Sequence, residues 1–200
     1  GDDWRRKVEP SVGDFVFNEA ADYEVTVATN QGIELFTSGI ETGPRNEKTG
    51  QTFTASALRD FAILAGRGLR SEHTEIAGVD VRSIYLVEHE RIGKRTLSVA
   101  ANALRVFTQL FGPLPFKTIS IAEAPLIAGL GSCEFSGLNI IASAYFVDFD
   151  SSAVRNLPEI IREQRPSVEE SLEWTVAHLV AHQWWGAAVG NDPAREPLLD

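Results

Sequence analysis

The chain has 200 residues, 44% of them hydrophobic and 23% charged, so it can bury a core and does not have the composition of a disordered protein. Acidic residues outnumber basic ones by 28 to 18, and the net charge of −10 argues against a nucleic-acid partner, because phosphate backbones bind clustered Lys and Arg. No apolar stretch approaches the roughly 20 residues of a membrane span. The single cysteine, Cys133, excludes an internal disulfide.

The residues up to about 77 favour antiparallel strands. In residues 22–29 the side chains Tyr23, Val25 and Val27 alternate with polar or small ones, which is the period of a half-buried strand. Further strands are predicted at residues 32–39, 51–56 and 59–66. Residues 38–50 are rich in Gly, Pro and charge, and this composition predicts a solvent-exposed hairpin loop.

From residue 78 the patterns predict a mixture of strands and helices. Strands are expected at 79–87, 116–124 and 138–146. Residues 91–112 predict a helix, since apolar side chains recur every three or four residues and Gly112 followed by Pro113 ends the pattern. Residues 167–186 predict a second helix, with Ser167 and Glu170 as a capping box and Gly186 as its end.

Two histidines, His178 and His182, are four residues apart on the second helix and therefore project from one face. Imidazoles at this spacing can share a tetrahedral zinc ion at roughly 2.0–2.1 Å. The spacing alone is a weak signal, because two histidines on a helix more often pack against neighbours or face solvent.

The surrounding residues 175–186, TVAHLVAHQWWG, resemble the zinc helix of the M1 family of aminopeptidases, the gluzincins related to membrane alanyl aminopeptidase, which typically read A-H-E-x-A-H-Q-W-[FW]-G. The matching positions are Ala177, His178, Ala181, His182, Gln183, Trp184, Trp185 and Gly186. The family has its general-base glutamate where this chain has Leu179. The resemblance implies that His178 and His182 are zinc ligands and that the base is missing.

A second stretch, residues 129–138 (GLGSCEFSGL), resembles the G-x-M-E-N motif of the same family. The matching positions are Gly131, Glu134, Gly137 and Leu138, while Cys133 replaces the methionine. In the family this stretch is an edge strand that lines the substrate cleft. The resemblance therefore implies that Gly131, Ser132, Cys133 and Glu134 bind substrate, with the Glu134 carboxylate paired to the free α-amine of a peptide.

The resemblance also implies a fold, since residues 15–27 and 59–66 look like the end of the family's N-terminal β-domain and residues 83–116 like the opening of its catalytic domain. The expected class is α+β. Residues 1–77 would be the tail of an antiparallel β-sandwich, and residues 78–200 the start of a thermolysin-like domain with a mixed sheet and helices. His73 and His89 are predicted to face solvent.

The activity implied by the family is removal of N-terminal residues from peptides by water activated on one zinc ion. The family's third ligand, a glutamate nineteen residues after the second histidine, would fall at position 201, just after the EPLLD of residues 196–200. Loss of a general base typically lowers the rate by about 10²–10⁴. We therefore expect this chain to hold zinc weakly or not at all and to be inactive.

Several interpretations of Leu179 remain open. One interpretation is natural degeneration, which the pattern favours; the others are engineered inactivation and an active enzyme with another base. Glu173 is a poor substitute for that base, because it lies about 140° around the helix from His178. The function is then that of an aminopeptidase, of a non-catalytic pseudopeptidase that binds peptide N-termini, or of a scaffold module. The scaffold would contact protein partners, including the remainder of a peptidase chain.

Overall fold

The computed structural model describes residues 18–46, 50–126, 131–156, 158–192 and 196, and within these the predicted α+β class is confirmed. The strands are β1 (Ala21–Val27), β2 (Glu34–Thr37), β3 (Ile40–Asn46), β4 (Gly50–Leu58), β5 (Ile63–Gly66), β6 (Leu69–Ile76), β7 (Val79–Leu86), β8 (Thr118–Ala124), β9 (Ser132–Cys133) and β10 (Leu138–Ala142). The helices are α1 (Glu90–Phe111), α2 (Ser152–Arg155), α3 (Glu159–Arg162) and α4 (Arg165–Ala181), with 3₁₀ turns at Val87–His89 and Ser143–Tyr145.

The strands form three sheets. A three-stranded sheet has the order β1-β4-β3, and a two-stranded sheet pairs β2 with β5; both are antiparallel. The five-stranded sheet has the order β6-β7-β8-β10-β9, in which β7, β8 and β10 run parallel while the edge strands β6 and β9 run antiparallel to their neighbours. A mixed sheet is therefore present, but it is not confined to residues 78–200 as predicted, because its edge strand β6 precedes them.

The predicted loop at residues 38–50 is wrong. Ile40–Asn46 form strand β3, which pairs with β4 from Ile40 opposite Thr54 to Asn46 opposite Gly50. The pairing shifts register between Thr42 and Asn46, where Gly43 and Pro44 lie. An edge strand accommodates Gly and Pro because one side of its backbone needs no ladder partner, so loop-like composition is compatible with a strand here.

The division of the chain near residue 77 falls in the turn of a hairpin. Strand β6, which the sequence patterns missed, pairs with β7 over its whole length, from Leu69 opposite Leu86 to Ile76 opposite Val79. Strands β1 and β8 do lie in different sheets, as the two-part organisation requires. The domain boundary itself stays a prediction.

Helix α1 confirms its sequence signals. It spans Glu90–Phe111, and Gly112 closes it with a positive φ of 93° and a backbone N–H donated to the Thr108 carbonyl. Ala100 and Leu104 in the predicted apolar stripe are fully buried, whereas Phe111 is 49% exposed. The last turn of the stripe therefore leaves the core.

Helix α4 begins earlier and ends earlier than predicted. Pro166 occupies its first turn, Gln164 is the N-cap residue without a side-chain hydrogen bond, and Ser167 lies inside the helix, so the capping box is wrong. The helix ends at Ala181 with His182 as its C-cap, and the following residues continue in turns rather than as a helix to Gly186. The bonds from Gln183 N to Val180 O and from Trp184 N to Ala181 O tighten this end.

The main core lies where α1 and α4 cover one face of the five-stranded sheet. Its fully buried side chains include Val81, Leu104, Ile119, Ile121, Ile141, Val176 and Leu179. Across the described helices, none combines the length and apolar character that a bilayer crossing requires.

Candidate functional site

The two motif histidines lie at the end of α4 and share a surface. Their imidazole centroids are 4.5 Å apart, with ring planes at 77°. Both side chains are half-buried, and the largely exposed Trp174 indole stacks on His178 with centroids 5.2 Å apart. The structure thus brings the two predicted ligands together at the surface of the helix.

The position at which the resembled family has its general base lies in the core. Leu179 is fully buried and packs in the cluster that includes Leu172, Val176 and Val180 on the inner face of α4. Leu179 is buried because it lies on the helix face that contacts the sheet. Leu179 therefore contributes to packing, and it offers no group that could accept a proton.

Part of the second motif forms an edge strand of the five-stranded sheet. The resemblance predicts an edge strand here, and Ser132 and Cys133 form it as β9, opposite Ile141 and Ile140 of β10. Gly131 accepts a hydrogen bond from the Ala142 N–H at 2.9 Å. Glu134 follows β9 directly and is half-buried; residues 129 and 130 of the motif lie outside the described residues.

Gln183, the residue after His182, joins the two motifs. Its buried side chain accepts a hydrogen bond from Gly137 N at 2.8 Å and donates to the Phe135 carbonyl at 3.2 Å. It also donates to Asn139 Oδ1 at 3.0 Å. The end of the histidine helix and the segment after Glu134 are therefore in direct contact, although more than 40 residues separate them in the chain.

Asp60, in the loop between β4 and β5, holds the same segment from another element. Its Oδ1 accepts a hydrogen bond from Ser136 N at 2.8 Å. Burial raises the pKa of the Asp60 carboxyl above its ordinary value, and the hydrogen bonds from Ser136 oppose that shift only in part. No local signal in the sequence marks Asp60, because its partner lies 76 residues away.

His178 and His182 are the residues that would hold a zinc ion. The two imidazoles are half-exposed and in contact, but they supply only half of a tetrahedral shell, whereas catalytic zinc sites use three protein ligands. Within the described residues, no group of three or more His, Cys, Asp or Glu side chains is arranged for a metal. Glu173, the nearest acidic residue weighed as a base, instead accepts a hydrogen bond from Arg95 at 2.8 Å.

The remaining histidines differ from each other. His73 is 72% exposed, as predicted, and its Nδ1 lies 2.8 Å from Asp80 Oδ1. The prediction for His89 is wrong, because its side chain is only 28% exposed and its Nδ1 lies 2.8 Å from Oε1 of the fully buried Glu123. Glu123 also accepts a hydrogen bond from Leu86 N at 3.0 Å, so the pair ties the start of α1 to strand β8.

No protein-family model matches the chain, and no curated protein matches it. The geometry of the described residues is therefore the main basis for inferring function.

Proposed function

We propose that this chain carries the peptide-binding part of an M1-like zinc aminopeptidase site and binds peptide N-termini without cleaving them. The Glu134 carboxylate pairs with the α-ammonium group of the peptide, and His178 and His182 form the adjoining wall of the cleft. In this proposal the first part of the chain is the tail of a β-sandwich, and the second part is the start of a thermolysin-like domain.

The observation that carries the proposal is the contact between the two motifs. Gln183, adjacent to His182, hydrogen-bonds the Phe135 carbonyl, adjacent to Glu134, at 3.2 Å. Each motif alone is a weak signal, but two motifs of one family that meet in space support a common site. A half-buried carboxylate at such a site favours a cationic group, because a charge-assisted hydrogen bond is stronger than a neutral one.

The absence of cleavage in this proposal rests on Leu179. A zinc ion, when bound, would polarise the peptide carbonyl and acidify a water molecule. The side chain at 179 cannot take the proton of that water, and it is buried in the core rather than exposed to the cleft. Glu173 is engaged with Arg95, which supports the view that it does not replace the base.

The test is a calorimetric titration with leucyl-glycine amide and with its N-acetylated form. We expect binding of the free amine alone, and a loss of about tenfold or more in affinity for Glu134→Gln, since a hydrogen bond to a charged group contributes about 1.5–3 kcal/mol. Glu170→Gln is the matched control, because Glu170 is an exposed carboxylate of α4. Equal affinity for both peptides would contradict the proposal and favour a scaffold role.

Turnover separates the binding module from an enzyme. We expect no release of nitroaniline from leucine p-nitroanilide, with or without added zinc. Turnover that disappears in His178→Ala would show that the chain is an enzyme with a base other than residue 179.

A further inference from the structure

The backbone of residues 135–137, immediately after Glu134, is held by two side chains from distant parts of the chain. Asp60 accepts a hydrogen bond from Ser136 N at 2.8 Å, and Gln183 accepts one from Gly137 N at 2.8 Å. Gln183 also donates to the Phe135 carbonyl at 3.2 Å. Three consecutive residues are thus held through their peptide groups.

Both the oxygen and the nitrogen of the Gln183 side-chain amide are hydrogen-bonded. Its oxygen accepts from Gly137, while its nitrogen donates to Phe135 and to Asn139 Oδ1. The Asn139 amide in turn donates to the Ser120 carbonyl of β8 at 3.3 Å, so the contact continues into the centre of the sheet. Gln183 and Asn139 are fully buried, and a buried amide of this kind is stable only while its partners are present.

We propose that Gln183 is the positioning residue that sets Glu134 relative to His182. Gln183 is one peptide bond from His182, and Phe135 is one peptide bond from Glu134, so the hydrogen bond at 3.2 Å joins the immediate neighbours of both. The end of α4 therefore carries the imidazole of His182, and the next residue, Gln183, fixes the backbone beside Glu134. The inference rests on the proposed function for the role of Glu134, but the placement itself can be measured separately.

Amide hydrogen exchange measures the placement directly in the full chain. Gln183→Met keeps the size of the side chain and removes its hydrogen bonds, so exchange at Gly137 is expected to accelerate about tenfold or more. Exchange at Ser136, which Asp60 holds, and at Ile121 and Ile141 in the central strands is expected to change much less. Unchanged exchange at Gly137, or equal acceleration at all four amides, would overturn the inference.

Trp184→Phe is the matched control for a general loosening of the end of α4. Trp184 is the next residue, and its Nε1 donates to the Gly112 carbonyl at 3.2 Å, which fastens the helix to α1 rather than to the motif. This variant is expected to leave exchange at Gly137 unchanged. If Gln183→Met does not fold, Asn139→Ala removes one of the partners of Gln183 and gives the same comparison with a smaller acceleration.

Peptide binding then tests the consequence. In Gln183→Met the affinity for leucyl-glycine amide is expected to fall about tenfold, while Trp184→Phe keeps the affinity of the unaltered chain. Faster exchange at Gly137 with unchanged affinity would show that Gln183 serves only the local fold and would overturn the positioning role. If the unaltered chain has no preference for free amines, the proposed function fails, and exchange at Gly137 decides the placement by itself.

Discussion

At the scale of single residues, Leu179 bears most directly on the proposal that the chain binds peptides without cleaving them. Leucine stands where the resembled family has glutamate, and in the structure its side chain is fully buried between α4 and the sheet. A carboxylate there would lose its hydration without gaining a charged partner. Core packing therefore opposes the introduction of a glutamate at position 179.

The prediction for Leu179 is a large loss of stability. Leu179→Glu is expected to lower the free energy of unfolding by at least about 3 kcal/mol at neutral pH, and Leu179→Ala by about 2–5 kcal/mol. Leu110→Glu is the control, because Leu110 is 66% exposed on α1 and should tolerate the charge. Urea unfolding measures all three variants. Similar midpoints for Leu179→Glu and Leu110→Glu would contradict the buried position of residue 179.

Asp60 gives a pH-dependent prediction. Its pKa is raised from 3.8, chiefly by burial, so the ionised form is less favoured in the folded chain than in the unfolded one. Its contribution to stability is therefore complete below pH 3.8 and is lost as pH rises through the raised pKa. Asp60→Asn keeps the acceptor for Ser136 and does not titrate. Thermal unfolding should show the variant gaining stability relative to the parent as pH rises to neutrality; the opposite trend would refute this assignment.

At the level of elements, local signals predicted some boundaries and missed others. The end of α1 was predictable because Gly112 and Pro113 act within one turn of the helix. The end of α4 was not, since it depends on turns that follow His182 and on contacts of Gln183 with a segment more than 40 residues away. Strand β3 was missed because this edge strand contains Gly43, Pro44 and charged residues, a composition typical of a loop.

Two glycines test the pairing of β4 with β1. A Cβ on Gly50 would lie 2.4 Å from the Val27 carbonyl of β1, whereas a Cβ on Gly43 would meet nothing within 4 Å; φ is positive at both positions. Alanine at either site adds about 1–2 kcal/mol of backbone strain, and Gly50→Ala adds about 1–3 kcal/mol for the clash. Denaturant titration should give Gly50→Ala a much lower free energy of unfolding than Gly43→Ala. Equal effects would argue against the pairing of β4 with β1.

In the whole molecule, the fold brings into contact two segments that are far apart in the sequence, the end of α4 and the residues after Glu134. The motif residues His178, His182 and Glu134 were identifiable from the sequence. The side chains that hold the segment after Glu134 were not, because Asp60 and Gln183 bind backbone groups 76 and 46 residues away. Gln183 was visible only as one more matching position in the motif.

Zinc affinity is a prediction about the assembled site. Two imidazoles complete half of a tetrahedral shell, so zinc should bind with micromolar affinity or weaker, and His178→Ala should remove what binding there is. His73→Ala is the control, since His73 is 72% exposed on β6 beside Asp80. Calorimetric titration measures the affinity. A nanomolar dissociation constant would mean that another side chain completes the shell.

The central claim is that the two motifs form one site for peptide N-termini, and chemical-shift mapping with leucyl-glycine amide on the ¹⁵N-labelled chain tests it most directly. We expect the amide signals of Glu134 and of His182 to move together with a single dissociation constant. The N-acetylated peptide should leave both signals in place. Shifts confined to one of the two motifs, or the same shifts with the acetylated peptide, would contradict the claim.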